Sequence, residues 1–138
     1  MNQYVDASVI LRLVLREPMA LAEWKSFRHP ASSALLQVEC LRTIDRLQFT
    51  KELKEHEAPR AYAALHDVMG TVDLLRVGED IIEGAGGPFG LPLKTLDGLH
   101  LVTAIAWRQR LGEEVTFVTH DVQLARAARS YDFPVLGA

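Results

Sequence analysis

Strand-like and helix-like stretches alternate from one end of this chain of 138 residues to the other, and that alternation limits the fold more than any other feature. Gln3 to Val5 reads as a short strand stopping at Asp6, and Ser8 to Arg16 then carries Val9, Ile10, Leu13 and Val14 at helical spacing. Pro18 suits the first turn of a second helix running to about Arg28, with Leu21, Trp24 and Phe27 as its apolar members. A brief strand within His29 to Ser33 precedes a helix that Ser33 would cap and that runs to about Phe49, its Leu36, Val38, Leu41, Ile44 and Leu47 facing the core. Thr50 to Pro59 is charged and loop-like, Ala61 to Met69 helical, Thr71 to Val77 a buried strand and Glu79 to Glu83 a short helix. Gly84 to Pro92 is the one flexible-looking stretch, expected to form a loop beside the site. Thr95 would then cap a nearly all-apolar helix from Asp97 to Arg110. Val115 to Thr119 is a last strong strand, Asp121 caps Val122 to Ser130, and Phe133 to Leu136 closes as an edge strand. Such a pattern implies an α/β fold, with a central, mostly parallel, twisted sheet of four to five short strands flanked by helices.

A hydrophobic content of 49% over this length is enough for one core without cross-links, so residues 1–138 are expected to form a single domain. Cys40 is the lone cysteine, which rules out an internal disulfide or paired-cysteine metal spacing and suits a reducing cytosol. The start MNQYVDAS lacks a basic segment followed by a long apolar run, and no stretch reaches the roughly 18 apolar residues that span a bilayer. A soluble, unprocessed, cytoplasmic protein is expected. The formal charge of −3 argues against nucleic-acid binding through overall basic charge, leaving a local patch or a metal to meet any phosphate. Arginine supplies 11 of the 15 basic residues, which suits bidentate contact with phosphate or carboxylate, although a solvated surface accounts for most of them.

In a parallel sheet covered on both faces, ligands lie beyond the carboxyl ends of the strands, where strand order reverses. Asp6 and Asp121 fall at those ends, Asp97 opens the apolar helix, and Glu39 sits at the edge of the polar arc of its helix. Taken singly, each has an ordinary explanation: Asp6 and Asp121 as helix caps, Asp97 as an acid favoured by the helix dipole, Glu39 as half of an exposed pair with Arg42. Capping leaves unexplained why all four gather at one edge of the sheet. Clustered carboxylates repel, and a divalent cation is the usual means of keeping several ionised. Oxygen ligands without histidine or cysteine spacing suit Mg²⁺ and phosphoryl chemistry better than zinc, and suggest a metal-dependent nuclease.

Four segments carry a family likeness: V-D-A-S at Val5 to Ser8, L-L-Q-V-E-C-L-R at Leu35 to Arg42, L-K-T-L-D-G-L-H-L-V-T-A at Leu93 to Ala104, and F-V-T-H-D-V-Q-L-A-R-A-A at Phe117 to Ala128. In this order they resemble the successive motifs of the PIN-domain ribonucleases, and more narrowly the VapC-type toxins of toxin–antitoxin pairs. The resemblance implies that Asp6, Glu39 and Asp97 are the core acids binding Mg²⁺ or Mn²⁺, with Asp121 a fourth, more variable one. Ser8 and Thr119 match the hydroxyl positions that support the first and last acids. It further implies an RNA substrate, a VapB-like antitoxin, a homodimer and a toxin–antitoxin hetero-oligomer. Cys40 and Gly98 depart from the pattern, where a larger apolar residue and alanine are more usual; Gly98 would loosen the start of its helix by up to about 1 kcal/mol.

Arg42, Arg46, Arg126 and Arg129 are candidates for gripping RNA phosphate or meeting an acidic antitoxin. Trp24, Phe27, Phe49 and Tyr62 suit either the core or a groove for an antitoxin segment. His100 and His120 invite a mixed histidine and aspartate metal site, but a core or interface partner for His100 and water or substrate for His120 are the simpler readings. The glycines of Gly84 to Gly90 lack the lysine and hydroxyl of a phosphate-binding loop, and Cys40 reads as a small buried hydrophobe. A response-regulator receiver needs paired acids after its first strand and a late lysine, whereas Asp6 stands alone and the last lysine is Lys94. The stronger rival is a non-catalytic PIN-like module that binds RNA or protein.

Overall fold

The computed structural model describes residues 1–138. Five strands form one all-parallel sheet: β1 (Asn2–Val5), β2 (Ala31–Ser33), β3 (Asp73–Leu75), β4 (Val115–Val118) and β5 (Val135–Leu136), in the spatial order β3-β2-β1-β4-β5. The helices are α1 (Ala7–Val14), α2 (Leu36–Phe49), α3 (Ala58–Met69), α4 (Glu79–Gly84), α5 (Thr95–Leu111) and α6 (Val122–Ser130). From β1 the chain winds outward through β2 and β3, then returns to lay β4 on the other side of β1. Strand order therefore reverses between β1 and β4, which pair in register from Asn2 opposite Val115 to Val5 opposite Val118. None of the helices is long and apolar enough to cross a membrane.

Alternation along the central strands divides the core between the two faces of the sheet. Val5 and Val118 point into a layer with Val9, Ile10, Leu36, Cys40 and Ile44, whereas Tyr4, Val115 and Phe117 join Leu101, Ala104, Leu124, Ala128 and Phe133. Both helical layers are thus tied to the same two strands, and the ends of those strands are held from both sides.

Several sequence expectations are corrected. In place of a helix from Pro18 to Arg28 there is only a 3-10 turn at Ala22–Ser26, because Arg16 and Met19 adopt left-handed backbone angles and, of the apolar side chains there, only Leu21 is buried. So short a segment has no face to hold it as an α-helix. Ser33 ends β2 instead of capping α2, and its hydroxyl accepts the Leu35 N–H at 3.0 Å while Leu35 occupies the cap position. The buried stripe of α2 is Leu36, Cys40 and Ile44; Val38 and Leu41 are exposed. The strand expected at Thr71 to Val77 shrinks to a three-residue edge whose Asp73 and Leu74 are exposed, so it needs no apolar alternation. Lys94, not Thr95, stands at the N-cap of α5, and the helix ends at Gly112 in the left-handed conformation.

Candidate functional site

The acids meet at the topological switch point. Asp6 directly follows β1, and its N–H reaches the Val118 carbonyl at 3.2 Å, extending the β1–β4 ladder by one residue and fixing the carboxylate at the end of the sheet. Although it stands at the N-cap of α1, its side chain makes no capping bond; Oδ1 instead accepts the Ser8 hydroxyl at 2.6 Å. Asp121 does cap, accepting the Leu124 N–H at 2.9 Å, and that bond occupies one of its two oxygens. Asp97 lies in the first turn of α5 without a capping bond. Glu39 is not paired with Arg42, which bonds Asp45 at 2.8 Å; its Oε1 lies 2.7 Å from His100 Nε2.

All four acids line a single cleft of about 1010 Å³, together with Ser8, Thr43, Arg42, Arg46 and Lys94 and with the apolar side chains of Leu11, Val38, Phe49 and Leu96. Thr119, fully buried behind it, lies 3.4 Å from Ser8 Oγ and accepts the Asp121 N–H at 3.0 Å; Ser8 in turn accepts the His120 N–H at 2.9 Å. These two hydroxyls therefore join the chain after β1 to the chain after β4. Asp6 is 5% exposed, and its pKa is raised because burial outweighs the stabilising charge of His100 and the hydroxyls of Ser8 and Thr119. Asp97 is pushed up to about 6, first by desolvation and then by the negative charges of Asp121 and Asp6. For His100, burial alone would lower the pKa, but the hydrogen bond to Glu39 and the charges of Glu39, Asp6 and Asp97 more than offset it, and the net shift is upward.

Withdrawn carboxylates whose charges oppose one another, with hydroxyls beside them, make an all-oxygen donor set that suits a hard divalent cation. No three acidic, histidine or cysteine side chains converge tightly enough to enclose an ion by themselves. Mg²⁺ commonly keeps several waters and takes one or two carboxylates plus substrate oxygens, so an open arrangement of this kind is compatible with it.

Arg42 and Arg46 both reach the cleft, whereas Arg126 bonds Gln123 and Arg129 bonds the Ala138 carbonyl. Phe49 is 91% exposed at the cleft rim; Trp24, Phe27 and Tyr62 pack against the core. Cys40 is fully buried, as its small apolar character suggests. His120 is turned from the cleft's polar chemistry toward the chain end, with Nδ1 2.9 Å from the Gly137 carbonyl and Nε2 buried without a partner. Sequence reasoning missed Lys94, which no periodicity marks, and the joint engagement of His100 with Glu39 and Tyr4. Only the three-residue spacing of His100 from Asp97 hinted that the ring faces this end of the sheet.

The PIN domain family profile matches residues 3–130. The chain is 35% identical over 137 residues to Ribonuclease VapC46 of Mycobacterium tuberculosis (strain ATCC 25618 / H37Rv), covering 96% of this chain and 95% of that one. Among solved structures, its fold is similar to VapBC2 from Rickettsia felis, bound to a DNA fragment from their promoter, with TM-score 0.69 and 13% identity over 99% of this chain and 98% of that chain. It is similar also to VapBC-1 from nontypeable Haemophilus influenzae, with TM-score 0.64 and 16% identity over 99% and 97% of the two chains.

Proposed function

The chain belongs to the PIN-domain family, in its VapC branch, and on that premise we propose that it is a Mg²⁺- or Mn²⁺-dependent endoribonuclease, the toxin of a toxin–antitoxin pair restrained by a VapB-like antitoxin. The observation that carries this reading is the convergence of Asp6, Glu39, Asp97 and Asp121 on one cleft at the strand-order reversal. Of these four, one or two carboxylates would hold the cation directly and the others would face its bound waters. When bound, it would activate water and polarise the scissile phosphodiester.

The chain's own residues prepare that chemistry. Ser8 donates to Asp6 and, through Thr119, ties the first acid to the segment bearing Asp121, so that two ligands from opposite ends of the sequence move as one unit. The bond from Leu124 to Asp121 fixes the last carboxylate on the cleft wall. Arg42, Arg46 and Lys94 offer positive charge on the same cleft and would grip the RNA phosphates flanking the cut, or the acidic groups of an antitoxin. The fold likeness to two VapBC proteins supports an antitoxin partner. A cytoplasmic homodimer that assembles with antitoxin into a hetero-oligomer completes the proposal.

The test is cleavage of total RNA and defined RNAs by antitoxin-free protein with Mg²⁺, Mn²⁺ or chelator, beside an Asp97→Ala control and an Asp6→Asn variant. Cation-dependent cutting that both substitutions reduce by more than about a hundredfold, the upper end of what losing a mere supporting contact costs, is expected. A folded, cation-binding wild type that cuts no RNA would point instead to a non-catalytic module.

A further inference from the structure

We propose that His100 is a positioning residue for the acidic site, tethering the Glu39 carboxylate to Tyr4 on the central strand and so presetting Glu39 for a divalent cation. This rests on the reading of Glu39 as a cation ligand.

The ring of His100 lies between α5 and the sheet, 2% exposed, with Nδ1 2.8 Å from the Tyr4 hydroxyl and Nε2 2.7 Å from Glu39 Oε1. Both ring nitrogens are occupied, so the imidazole has no lone pair to offer an ion and no free edge to serve as a base. An ionised carboxylate only accepts, which requires the proton on Nε2. At the far end, Tyr4 is fully buried, paired on both sides with Ala31 of β2 and Phe117 of β4, and its ring packs 5.3 Å from Phe117 and edge-on to His100 at 5.8 Å. Glu39, by contrast, has a long, rotatable side chain at the edge of the buried stripe of α2. Freezing such a side chain on cation binding would otherwise cost its rotamer freedom. Through His100 the fully buried Tyr4 of the central strand bears that restraint before any ion arrives, and one oxygen of Glu39, Oε2, is left without an intramolecular bond. A histidine that was merely a satisfied part of the core would not need to end on a carboxylate of the cleft.

Mn²⁺ titration by calorimetry at fixed pH, with melting in chelator as the folding control, tests the assignment on His100→Leu, His100→Gln and Tyr4→Phe. His100→Leu should weaken Mn²⁺ binding about tenfold to a hundredfold, with RNA cleavage restored by excess Mn²⁺. His100→Gln carries an amide donor near the place of Nε2 and should bind within a few-fold of wild type, and Tyr4→Phe should fall between the two. A folded His100→Leu with wild-type Mn²⁺ affinity overturns the proposal. Should that variant not fold, unchanged affinity in Tyr4→Phe overturns it equally. Wild type that binds Mn²⁺ but cleaves no RNA removes the nuclease reading and leaves the tether standing, whereas wild type that binds no Mn²⁺ removes both.

Discussion

Asp97 shows how a single residue can work against the stability of the fold that displays it. Its pKa of about 6 lies above the 3.8 of an unperturbed aspartate, so the folded chain holds the proton more tightly than the unfolded one. Below pH 3.8 the side chain is neutral in both states and costs nothing; as pH rises through 6 the folded state acquires an unfavourable charge, and stability from this group is lost. A rise from 3.8 to about 6 corresponds to about 3 kcal/mol for a fully buried group, but solvent still reaches Asp97, and about 1 kcal/mol is the reasonable expectation. In chelator, Asp97→Asn should therefore be more stable than wild type by about 1 kcal/mol at pH 7.5, with the gap closing toward pH 4. Urea unfolding at the two pH values measures this, and a variant less stable than wild type at pH 7.5 would show that Asp97 is held by favourable contacts. The same residue illustrates what a sequence leaves hidden. That Asp6, Asp97 and Asp121 gather was legible because strand ends and helix starts mark positions at a sheet edge. Which acids cap was not, since an N-cap aspartate looks alike whether it bonds the helix, as Asp121 does, or a neighbouring hydroxyl, as Asp6 does.

At the scale of the element, α2 and α5 position the site, and each departs from its simplest sequence reading for a packing reason. Leu36, Cys40 and Ile44 of α2 are fully buried, while Val38 is 49% exposed and lines the cleft. Leucine and valine are so evenly spread along this helix that hydropathy alone allows two faces, and the neighbouring α1 and α3 decide between them. Ile44→Ala should accordingly cost about 3 kcal/mol in unfolding free energy and Val38→Ala no more than about 0.5, a contrast chemical denaturation resolves. In α5, Gly98 is a point of close approach more than a weak start. A methyl group there would lie 3.1 Å from the Ala85 carbonyl and 3.3 Å from the Phe89 ring, so the glycine-rich stretch before α5 is seated on it. Alanine would gain about 1 kcal/mol of helix propensity, but a backbone carbonyl cannot swing aside, and overpacking of this kind typically costs 1–3 kcal/mol. A net fall in melting temperature for Gly98→Ala is expected. A rise would mean that the stretch from Gly84 to Pro92 yields easily and that propensity governs.

For the whole molecule, the alternation of strand and helix was enough to foresee a parallel sheet covered on both faces, because strands of two to four residues beside longer helices have few other ways to bury their apolar side chains. The winding that places β1 beside β4 is not written in any local pattern. It follows from tertiary pairing between residues more than a hundred positions apart, such as Val5 and Val118. That pairing also sets the electrostatic problem. A chain of net charge −3 whose site gathers four acids should repel a polyanion, so the proposed RNA substrate would be met where cations interrupt the acidic surface. Three basic residues line the cleft, and they are not equivalent: Arg42 is engaged with Asp45 at 2.8 Å, while Arg46 and Lys94 have no ion-pair partner. A phosphate contact releases counterions, with a slope near 0.7 per contact for single strands when the logarithm of affinity is plotted against that of salt. Arg46→Ala or Lys94→Ala should thus raise KM for RNA cleavage and flatten its salt dependence by about 0.7, with kcat at saturating RNA much less affected. Arg42→Ala should change both less, because its charge is already compensated. Salt slopes that stay at the wild-type value in both Arg46→Ala and Lys94→Ala would exclude this rim as the path of the strand and shift attention to the exposed Phe49, whose ring would stack on a base without answering to salt.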